Sequence, residues 1–454
     1  MKKVVIAFIS GIIALTSFFS CGVDRFPEYY AETGLDLWID SVMRQEYFWQ
    51  EDMPSSKDLN YFLKPEAFFK KLLSSKDKGY STVDTLDNEP IVSYGFNYTL
   101  YKLANNDTAY NALITYVVPE SPASAAGLER GDWLMKMDND FITKRNEENL
   151  IIGGSKQFLT GKFALVQDEA GKDVGVVQPV GEVRVNAART ITDMPMHKFL
   201  MYQVNDKIVG YLIYSFFAAG PTADSQEYNN QLRELFAQFK SAGVNEFVLD
   251  LRYNSGGEME CAQLLSTMLA PADRMNSPWA ILRFNNKQVG KNKELALNPE
   301  LIQTGANLNL STIYVLTTKE TAAASEMVIN CLKPYMNVVL IGATTQGENV
   351  ATGTFSNRQF NWSIHPVVCE VYNSLNESNY ANGFTPNYQV DELADLRYFL
   401  PFGNPQEALL NKALSLIAGN TPATKANTQS TAEQMTALKS VNVCRKPHRG
   451  LIIK

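Results

Sequence analysis

The pattern of apolar and polar positions divides the chain into regions of different texture. Residues 24–80 carry large apolar side chains at helical spacing, which predicts two or three short helices. This spacing is more typical of a helical core than of a ligand-binding cage. The side chains concerned are Trp38, Ile39, Val42, Met43, Tyr47, Phe48, Trp49, Phe62, Phe68, Phe69, Leu72 and Leu73.

From residue 91 the pattern favours strands. The segments IVSYGFNYTLYKL and ALITYVVP lead to a loop in which residues 124–128 predict a short helix closed by Gly127. The turn Arg130-Gly131-Asp132 then feeds another strand. FALVQD, GVVQPV and EVRVNAART predict further strands, with hairpin turns at Glu169-Ala170-Gly171 and at Gly181. This part of the chain is therefore predicted to be a β-rich module.

From about residue 207 strands and helices alternate. The strands read as continuous apolar runs, whereas the segment 225–242 is amphipathic. Further helices are expected at 258–269 and at about 325–335. Such alternation predicts a largely parallel sheet covered on both faces. The fold class is thus expected to be α/β and multi-domain, with 454 residues giving ample length for several cores.

The first residues resemble an export signal rather than part of the fold. Lys2 and Lys3 precede an apolar run that is too short and too early for a membrane-spanning helix. The run ends at Ser20-Cys21-Gly22, which resembles a bacterial lipoprotein cleavage site, so Cys21 is the predicted lipidation site. The alternative is an ordinary secretory signal with an incidental cysteine. Either reading predicts an exported protein, and the lipoprotein reading predicts the cell envelope, most simply the outer membrane.

Composition excludes several classes of function. The formal net charge is −7 and the basic residues are dispersed, so nucleic-acid binding has no support in the sequence. Cys261, Cys331, Cys369 and Cys444 show no metal-ligand spacing and are interpreted as thiols, three of them in apolar surroundings. No metal or cofactor is expected. Residues 419–454 are polar at first and are predicted to form a flexible C-terminal extension.

Two strand-to-loop junctions carry candidate chemistry. In 250-DLRYNSGG-257 the consecutive Gly256 and Gly257 before a helix can expose backbone N–H groups to an anionic oxygen. In 321-TAAASEMVIN-330 the candidate is Ser325 at a helix start. Each has a plain alternative, a tight connection in the first case and a helix N-cap in the second. In a parallel sheet, however, both loops emerge at the carboxyl ends of strands, which places a serine hydroxyl near a cradle of N–H groups, as acyl transfer requires.

The order of these motifs resembles the tail-specific (C-terminal processing) serine peptidases, especially their lipoprotein members in Bacteroides-like bacteria. The resemblance covers roughly residues 30–415 and rests on the motifs LDLRYNSGG, TAAASE and IGATTQG, with GFTPN at 383–387. It implies a helical N-terminal region (24–85) after the signal (1–21), a PDZ-like module (88–190) and a peptidase core of ClpP/crotonase-like type (198–418).

The same resemblance implies roles for individual residues. Ser325 would be the nucleophile, and backbone N–H groups of Gly256 or Gly257 and of Glu326 would form the oxyanion hole. Tyr94-Gly95-Phe96-Asn97 would stand in the place of the PDZ carboxylate-binding loop and take a polypeptide C-terminus by strand addition. The expected partners are polypeptide substrates or peptide C-termini.

One position departs from the family pattern. The family uses a lysine as general base in a Gly-Lys pair after the strand that follows the serine helix, and here the pair is Gly347-Glu348. A carboxylate matches this task only if burial raises its pKa strongly. Lys319, Lys333 and His365 are candidate substitutes for the base, although each is more simply interpreted as a solvated or structural residue.

The sequence therefore leaves two functions open. The first is an exported, lipid-anchored serine peptidase of the tail-specific type. The second is a peptide-binding pseudopeptidase that has lost its chemistry through Glu348. A structural or glycan-binding lipoprotein would leave Ser325 and the glycine loop unexplained.

Overall fold

The computed structural model describes residues 26–86, 90–103, 106–420, 435–442 and 450–453. The predicted lipidation site Cys21 and the thiol Cys444 lie outside this part of the chain. Within it the α-helices are α1 (Phe26–Glu46), α2 (Pro65–Leu72), α3 (Pro122–Ala125), α4 (Glu227–Ser241), α5 (Met259–Leu269), α6 (Ala324–Leu332) and α7 (Ala408–Ile417). None of the helices in these ranges is both long and apolar enough to cross a bilayer.

The strands, in chain order, alternate with these helices only in the second half. They are β1 (Thr82–Thr85), β2 (Val92–Ser93), β3 (Phe96–Leu103), β4 (Asn106–Val117), β5 (Trp133–Met137), β6 (Asp140–Thr143), β7 (Lys156–Gln167), β8 (Asp173–Val185), β9 (Arg189–Thr190), β10 (Met196–Val204), β11 (Lys207–Tyr214), β12 (Glu246–Asp250), β13 (Gly256–Glu258), β14 (Pro278–Phe284), β15 (Lys293–Ala296), β16 (Thr312–Thr317), β17 (Asn337–Gly342), β18 (Val350–Gly353), β19 (Phe355–Asn357), β20 (Trp362–His365), β21 (Val367–Asn373), β22 (Tyr388–Gln389), β23 (Ala437–Val441) and β24 (Gly450–Ile453).

The N-terminal region is helical, as predicted, but its first helix is long. α1 has 21 residues and packs against α2. The aromatic and aliphatic side chains at helical spacing form a core, which confirms the structural interpretation of that stripe; the exception is Phe62, which is 59% exposed. This core also includes Val350, Ile364 and Val367, so the region is packed onto the strands that follow the serine helix.

A seven-stranded sheet, in the order β23-β3-β4-β6-β5-β7-β8, forms the β-rich part of the chain. Residues 168–172 make the predicted hairpin turn between β7 and β8. The turn predicted at Gly181 is wrong. β8 runs through that position as one strand, and the sequence break there corresponds to a register shift opposite Thr160 and Gly161. The module thus has one long hairpin where two short ones were expected.

The α/β core is built on a six-stranded sheet, β10-β11-β12-β16-β17-β22, in which only β10 is antiparallel to its neighbour. Helices α4, α5 and α6 contribute to the hydrophobic core on one face, and α7 contributes to the core on the other. The predicted multi-domain α/β fold with a largely parallel, doubly covered sheet is therefore confirmed. The carboxyl ends of β12 and β16 lead into the glycine loop and the serine helix.

The C-terminal residues differ from the predicted flexible extension. β23 joins the seven-stranded sheet as a new edge, antiparallel to β3. β24 is inserted between β13 and β18 in a second six-stranded sheet, in the order β13-β24-β18-β21-β14-β15. Residues 421–434 and 443–449 lie outside the described ranges. The two segments that are described form long-range strand pairs, which local composition does not predict.

Candidate active site

Ser325 lies in the first turn of α6, directly after a strained residue. Ala323 has φ +53° and ψ −111°, a conformation that residues with a Cβ rarely adopt. Such strain persists only where the surroundings enforce it, and here Ala323 and both its neighbours, Ala322 and Ala324, are buried. The sharp turn points Ser325 at the carboxyl end of the sheet, with none of its surface exposed.

The serine hydroxyl faces the glycine loop. Ser325 Oγ donates a hydrogen bond of 3.1 Å to the carbonyl oxygen of Asn254, which also accepts from the N–H of Ala322 at 3.0 Å. The Asn254 side chain accepts from the N–H of Gly256 at 3.0 Å. Of the predicted oxyanion donors, Gly256 is therefore engaged within its own loop. The two junctions that the sequence singled out do lie side by side.

The glycines of this loop are required by space as well as by conformation. Gly257 has φ +128°, and an ideal Cβ on it would lie 2.1 Å from the carbonyl oxygen of Phe217. A Cβ on Gly256 would lie 2.5 Å from the carbonyl oxygen of Gly450 in β24. Any side chain here would clash with backbone, so the glycines allow two neighbouring chains to approach closely.

Glu326, for which the sequence suggested only a backbone role, holds the site together through its side chain. Its carboxylate accepts hydrogen bonds from Thr345 Oγ1 at 2.5 Å, from the N–H groups of Gly347 and Glu348 at 2.7 Å each, and from Ala323 N–H at 3.1 Å. Burial raises the pKa of Glu326, while these donors oppose that shift. Because all four partners donate, the ionised form fits the site. Glu326 thus fixes the loop that carries Glu348 to the start of the serine helix.

Glu348 is buried beside that carboxylate and is only 3% exposed. Burial, then the charge of Glu326, raises its pKa to about 8, although the N–H of Leu451 donates to its carboxyl group. Within the described residues its Oε1 has no hydrogen-bond partner. The two carboxyl groups are close enough that their ionisation is coupled. Four hydrogen-bond donors stabilise the charge on Glu326, whereas Glu348 has only the Leu451 N–H, so Glu348 is the one that holds a proton at neutral pH.

A cavity of about 500 Å³ opens beside Glu348. It is of the size that ligand pockets in proteins have. Ser325 is fully buried and is not among the described residues that line this cavity. The N-terminal region, both site loops and the C-terminal strands all contribute to its wall, among others through Tyr80, Ser255, Lys319, Glu348, Asn442 and Gly450.

The three candidate substitutes for the base are placed as follows. Lys319 is exposed at the mouth of this cavity. Lys333 lies at the end of α6 with its ammonium 3.8 Å from the centre of the Phe384 ring. Both ring nitrogens of His365 are 3.1 Å from hydroxyl oxygens, those of Thr354 and of Ser363 in its own strand. None of the three has a described hydrogen bond to Ser325.

Comparison with known proteins identifies the architecture. The family model described as "Peptidase family S41" matches residues 208–390, and that described as "Peptidase S41 N-terminal domain" matches residues 35–82. The crystal structure of the "Putative S41 protease" of Bacteroides fragilis NCTC 9343 is 56% identical and covers 85% of this chain and 97% of its own, with a TM-score of 0.81. The chain belongs to peptidase family S41. The predicted relationship to C-terminal processing peptidases is thereby confirmed at the level of the family.

A curated relative of this S41 chain is more distant. The "Carboxyl-terminal-processing protease" of Picosynechococcus sp. (strain ATCC 27264 / PCC 7002 / PR-6) is 24% identical over 245 residues, or 52% of this chain. The match spans 51% of that relative, about half its length.

The predicted peptide-binding residues of the S41 chain lie at the start of β3. Gly95 has φ +90° and its backbone passes so close to Ser121 that a Cβ would lie 2.1 Å from the Ser121 Cβ. Tyr94 and Phe96 are buried in the core of the seven-stranded sheet. Phe96 and Asn97 are the first two residues of β3, the strand with which β23 pairs. The loop thus leads directly into a strand edge that already carries a partner.

A buried charge network, which sequence reasoning missed, ties the β-rich part to the S41 core. Arg252 makes two hydrogen bonds to Glu407, at 2.7 and 3.0 Å, and its Nε bonds Asp250 at 3.0 Å. Arg130, from the Arg-Gly-Asp turn, shares Glu392 with Arg252 at 2.9 Å each. Burial raises the pKa of Glu407, but the charges and hydrogen bonds of these arginines outweigh it and lower the pKa to about 2. The glycine loop therefore starts from an anchored Arg252.

Proposed function

We propose that the chain is an S41-type serine peptidase that cleaves polypeptides through Ser325, with Glu348 as the proton acceptor in the position where the family resemblance implies lysine. The observation that carries this is the juxtaposition of the two junctions, with Ser325 Oγ 3.1 Å from the Asn254 carbonyl oxygen in the glycine loop. Burial supports the assignment of Glu348, because a pKa of about 8 lies close to a useful working pH.

The chemical steps follow from these positions. Ionised Glu348 takes the Ser325 hydroxyl proton, either directly after the hydroxyl turns from Asn254 or through a water, and Oγ bonds to the scissile carbonyl carbon. The oxyanion then accepts a hydrogen bond from the backbone N–H of the glycine loop. Gly257 is the main candidate donor, because the N–H of Gly256 already donates to the Asn254 side chain. Collapse of this tetrahedral intermediate breaks the peptide bond, and Glu348 gives its proton to the leaving amine. Water then hydrolyses the acyl-enzyme.

The charge change differs from that of a lysine base. A neutral lysine becomes a cation as the oxyanion forms, whereas Glu348 changes from anion to neutral and provides no attraction for the oxyanion. Catalysis with Glu348 as the base is therefore expected to be slower than catalysis with a lysine base at every pH. It also requires loss of the Glu348 proton, so the rate should rise about tenfold per pH unit below about 8 and level off above it.

The test is cleavage of a fluorescein-labelled, unfolded casein between pH 6 and 9. Wild type should show the alkaline rise, and Ser325→Ala and Glu348→Gln should lose at least 10²-fold in kcat/KM. Glu348→Lys should be faster than wild type. Equal inactivity of wild type and Ser325→Ala over the whole range would exclude the peptidase function.

A second candidate function is a peptide-binding pseudopeptidase. Two observations favour it. The Ser325 hydroxyl donates to a backbone carbonyl, and burial raises the pKa of Glu348 to about 8, so its carboxyl group holds a proton at neutral pH. In this case peptides should bind with the same affinity to wild type and to Ser325→Ala, while neither variant cleaves them. Restored cleavage in Glu348→Lys would then identify the exchanged base as the cause.

For both functions the β-rich part is proposed to be PDZ-like and to take a polypeptide C-terminus at Tyr94-Gly95-Phe96-Asn97. The support is the strand β3, which follows this loop and pairs with an added strand in the structure. Replacing Gly95 by valine should abolish peptide binding, because its Cβ would clash with Ser121 and displace this loop, while the six-stranded sheet of the α/β core stays folded. Binding that survives this change would place the C-terminus elsewhere.

The chain is further proposed to be exported and anchored through lipid on Cys21, in the cell envelope and most simply at the outer membrane. The support is the sequence Ser20-Cys21-Gly22 after its charged and apolar leader. Metabolic labelling with a palmitate analogue should mark wild type but not Cys21→Ser. A protein that is released without lipid would instead have an ordinary secretory signal.

A further inference from the structure

The C-terminal residues 435–442 and 450–453 contact both places where the proposed function requires a polypeptide. β23 lies along the strand that begins within the Tyr94–Asn97 stretch, and β24 lies along the Gly256–Glu258 strand of the glycine loop. We propose that these two segments, here called the tail, act as an intramolecular ligand that occupies both peptide-binding sites and must leave before another polypeptide binds. The proposal rests on the proposed polypeptide-binding function.

The first contact has the direction of a bound C-terminus. β23 is antiparallel to β3 and runs from Ala437, opposite Tyr101, to Val441, opposite Tyr98, so it points towards the Tyr94–Asn97 loop. Val441 is 8% exposed and joins the hydrophobic core of the β-rich sheet. Without the tail, β3 would be an unpaired edge and a template for an added strand.

Side chains reinforce this contact. Ser440 Oγ lies 2.9 Å from Thr99 Oγ1, and Lys439 reaches Glu147 at 3.4 Å. Leu438, in contrast, is 47% exposed. Along β23 the residues from Ala437 to Ser440 are exposed and Val441 is buried, so Val441 is the residue that anchors this strand in the core.

The second contact places a backbone at the proposed oxyanion site. β24 is parallel to β13 and to β18, so it fills the gap between the glycine loop and the strand after Glu348. Leu451 is 1% exposed, and its N–H donates to Glu348, while its carbonyl oxygen accepts from Thr352 Oγ1 at 3.2 Å. Gly450 approaches both Gly256 and Glu348 Oε1. An extended substrate that reaches this loop would meet the tail.

Self-occupancy has a measurable consequence. A ligand in the same chain has an effective concentration on the order of millimolar, so it competes strongly with any polypeptide in solution. The apparent affinity for an added peptide is reduced by the fraction of molecules whose sites are filled. Releasing the tail should therefore strengthen binding, and locking it should abolish binding.

The lock exploits the Thr99–Ser440 pair, whose residues are opposite one another in the register. The full chain carries Thr99→Cys and Ser440→Cys, with Cys21 and Cys444 replaced by serine. A Ser325→Ala background prevents cleavage. The other cysteines in the described residues are buried and do not interfere. The probe is a fluorescein-labelled synthetic peptide with the sequence of residues 435–454, serine replacing its cysteine, and binding is measured by anisotropy.

The oxidised lock should bind the peptide at least tenfold more weakly than its reduced form. The Val441→Asp chain should bind the peptide at least tenfold more tightly than the chain with an unchanged tail. Leu438→Asp, a change at an exposed position of the same strand, should leave the affinity for the peptide unchanged. If Val441→Asp fails to fold, the lock alone decides.

Equal affinity of the oxidised and reduced lock overturns the proposal, and so does failure of the disulfide to form. The result is separate from the question of hydrolysis. A working lock in a chain that cleaves nothing supports the tail and refutes the peptidase function. Ser325-dependent cleavage together with an ineffective lock supports the peptidase function and refutes the proposal for the tail.

Discussion

Replacing Glu348 by glutamine should make the protein markedly more stable at alkaline pH. The unfolded glutamate releases its proton near pH 4.5, whereas the folded one retains it to about 8. Stability from the buried neutral carboxyl is thus complete below pH 4.5 and is lost as the pH rises to 8. At 1.36 kcal/mol per pKa unit, the wild-type free energy of unfolding should fall by about 3.5 kcal/mol between pH 5 and pH 8 through this group alone.

Glutamine keeps the size of the side chain and an oxygen to accept the Leu451 N–H, but it has no proton to lose. We therefore expect similar stability of wild type and Glu348→Gln at pH 5. At pH 8 the midpoint of thermal unfolding should be about 4 °C higher for the variant, since an unfolding entropy of about 2.1 cal/mol/K per residue over 454 residues gives about 1 °C per kcal/mol. Calorimetry of the full chain between pH 5 and 8 measures this. Glu300→Gln, at an exposed position, is the control and should follow wild type. Parallel pH profiles of wild type and Glu348→Gln would refute the burial argument.

Three further predictions concern stability, measured by urea unfolding. Glu326→Ala leaves three buried N–H groups without an acceptor and should lower the free energy of unfolding by roughly 3–6 kcal/mol; a loss below 1 kcal/mol would contradict its central role. Ala323→Gly should be neutral or stabilise by about 1 kcal/mol, because it relieves the positive φ, whereas Ala324→Gly, at the first residue of the helix, should destabilise by up to about 1 kcal/mol. Equal effects of the two changes would mean that no strain is stored at Ala323. Arg252→Met leaves the carboxylate of Glu407 without its main partner and should destabilise by about 3–5 kcal/mol, and a neutral effect would show that the network is dispensable.

The sequence predicted the core because its signals there are local. Apolar strand runs and the amphipathic helix give periodic patterns, and α4 begins and ends close to the predicted bounds. Ser325 and the glycine loop could be paired because parallel strands bring their carboxyl ends together. The location of Glu348 beside them followed from family resemblance rather than from any periodic pattern.

The remainder depends on contacts between residues distant in sequence. β23 pairs with a strand more than 300 residues earlier, and a polar segment such as ALKSV carries no local sign of that partner. The turn at Gly181 was wrong because glycine and proline also mark an irregularity within one long strand. One signal in the sequence pointed to a role for the Glu326 side chain, namely a glutamate in the first turn of a helix. The groups that donate to it, however, lie in a loop about 20 residues further along the chain, which no local pattern indicates.

The way Glu326 holds the loop at Glu348 has an evolutionary consequence. Glu326 binds the backbone N–H groups of residues 347 and 348, and so it positions the loop whatever side chain residue 348 carries. The codons for lysine and glutamate differ only in their first base. A lineage with this scaffold can therefore exchange glutamate and lysine at position 348 by a single mutation, in either direction, without rebuilding the loop.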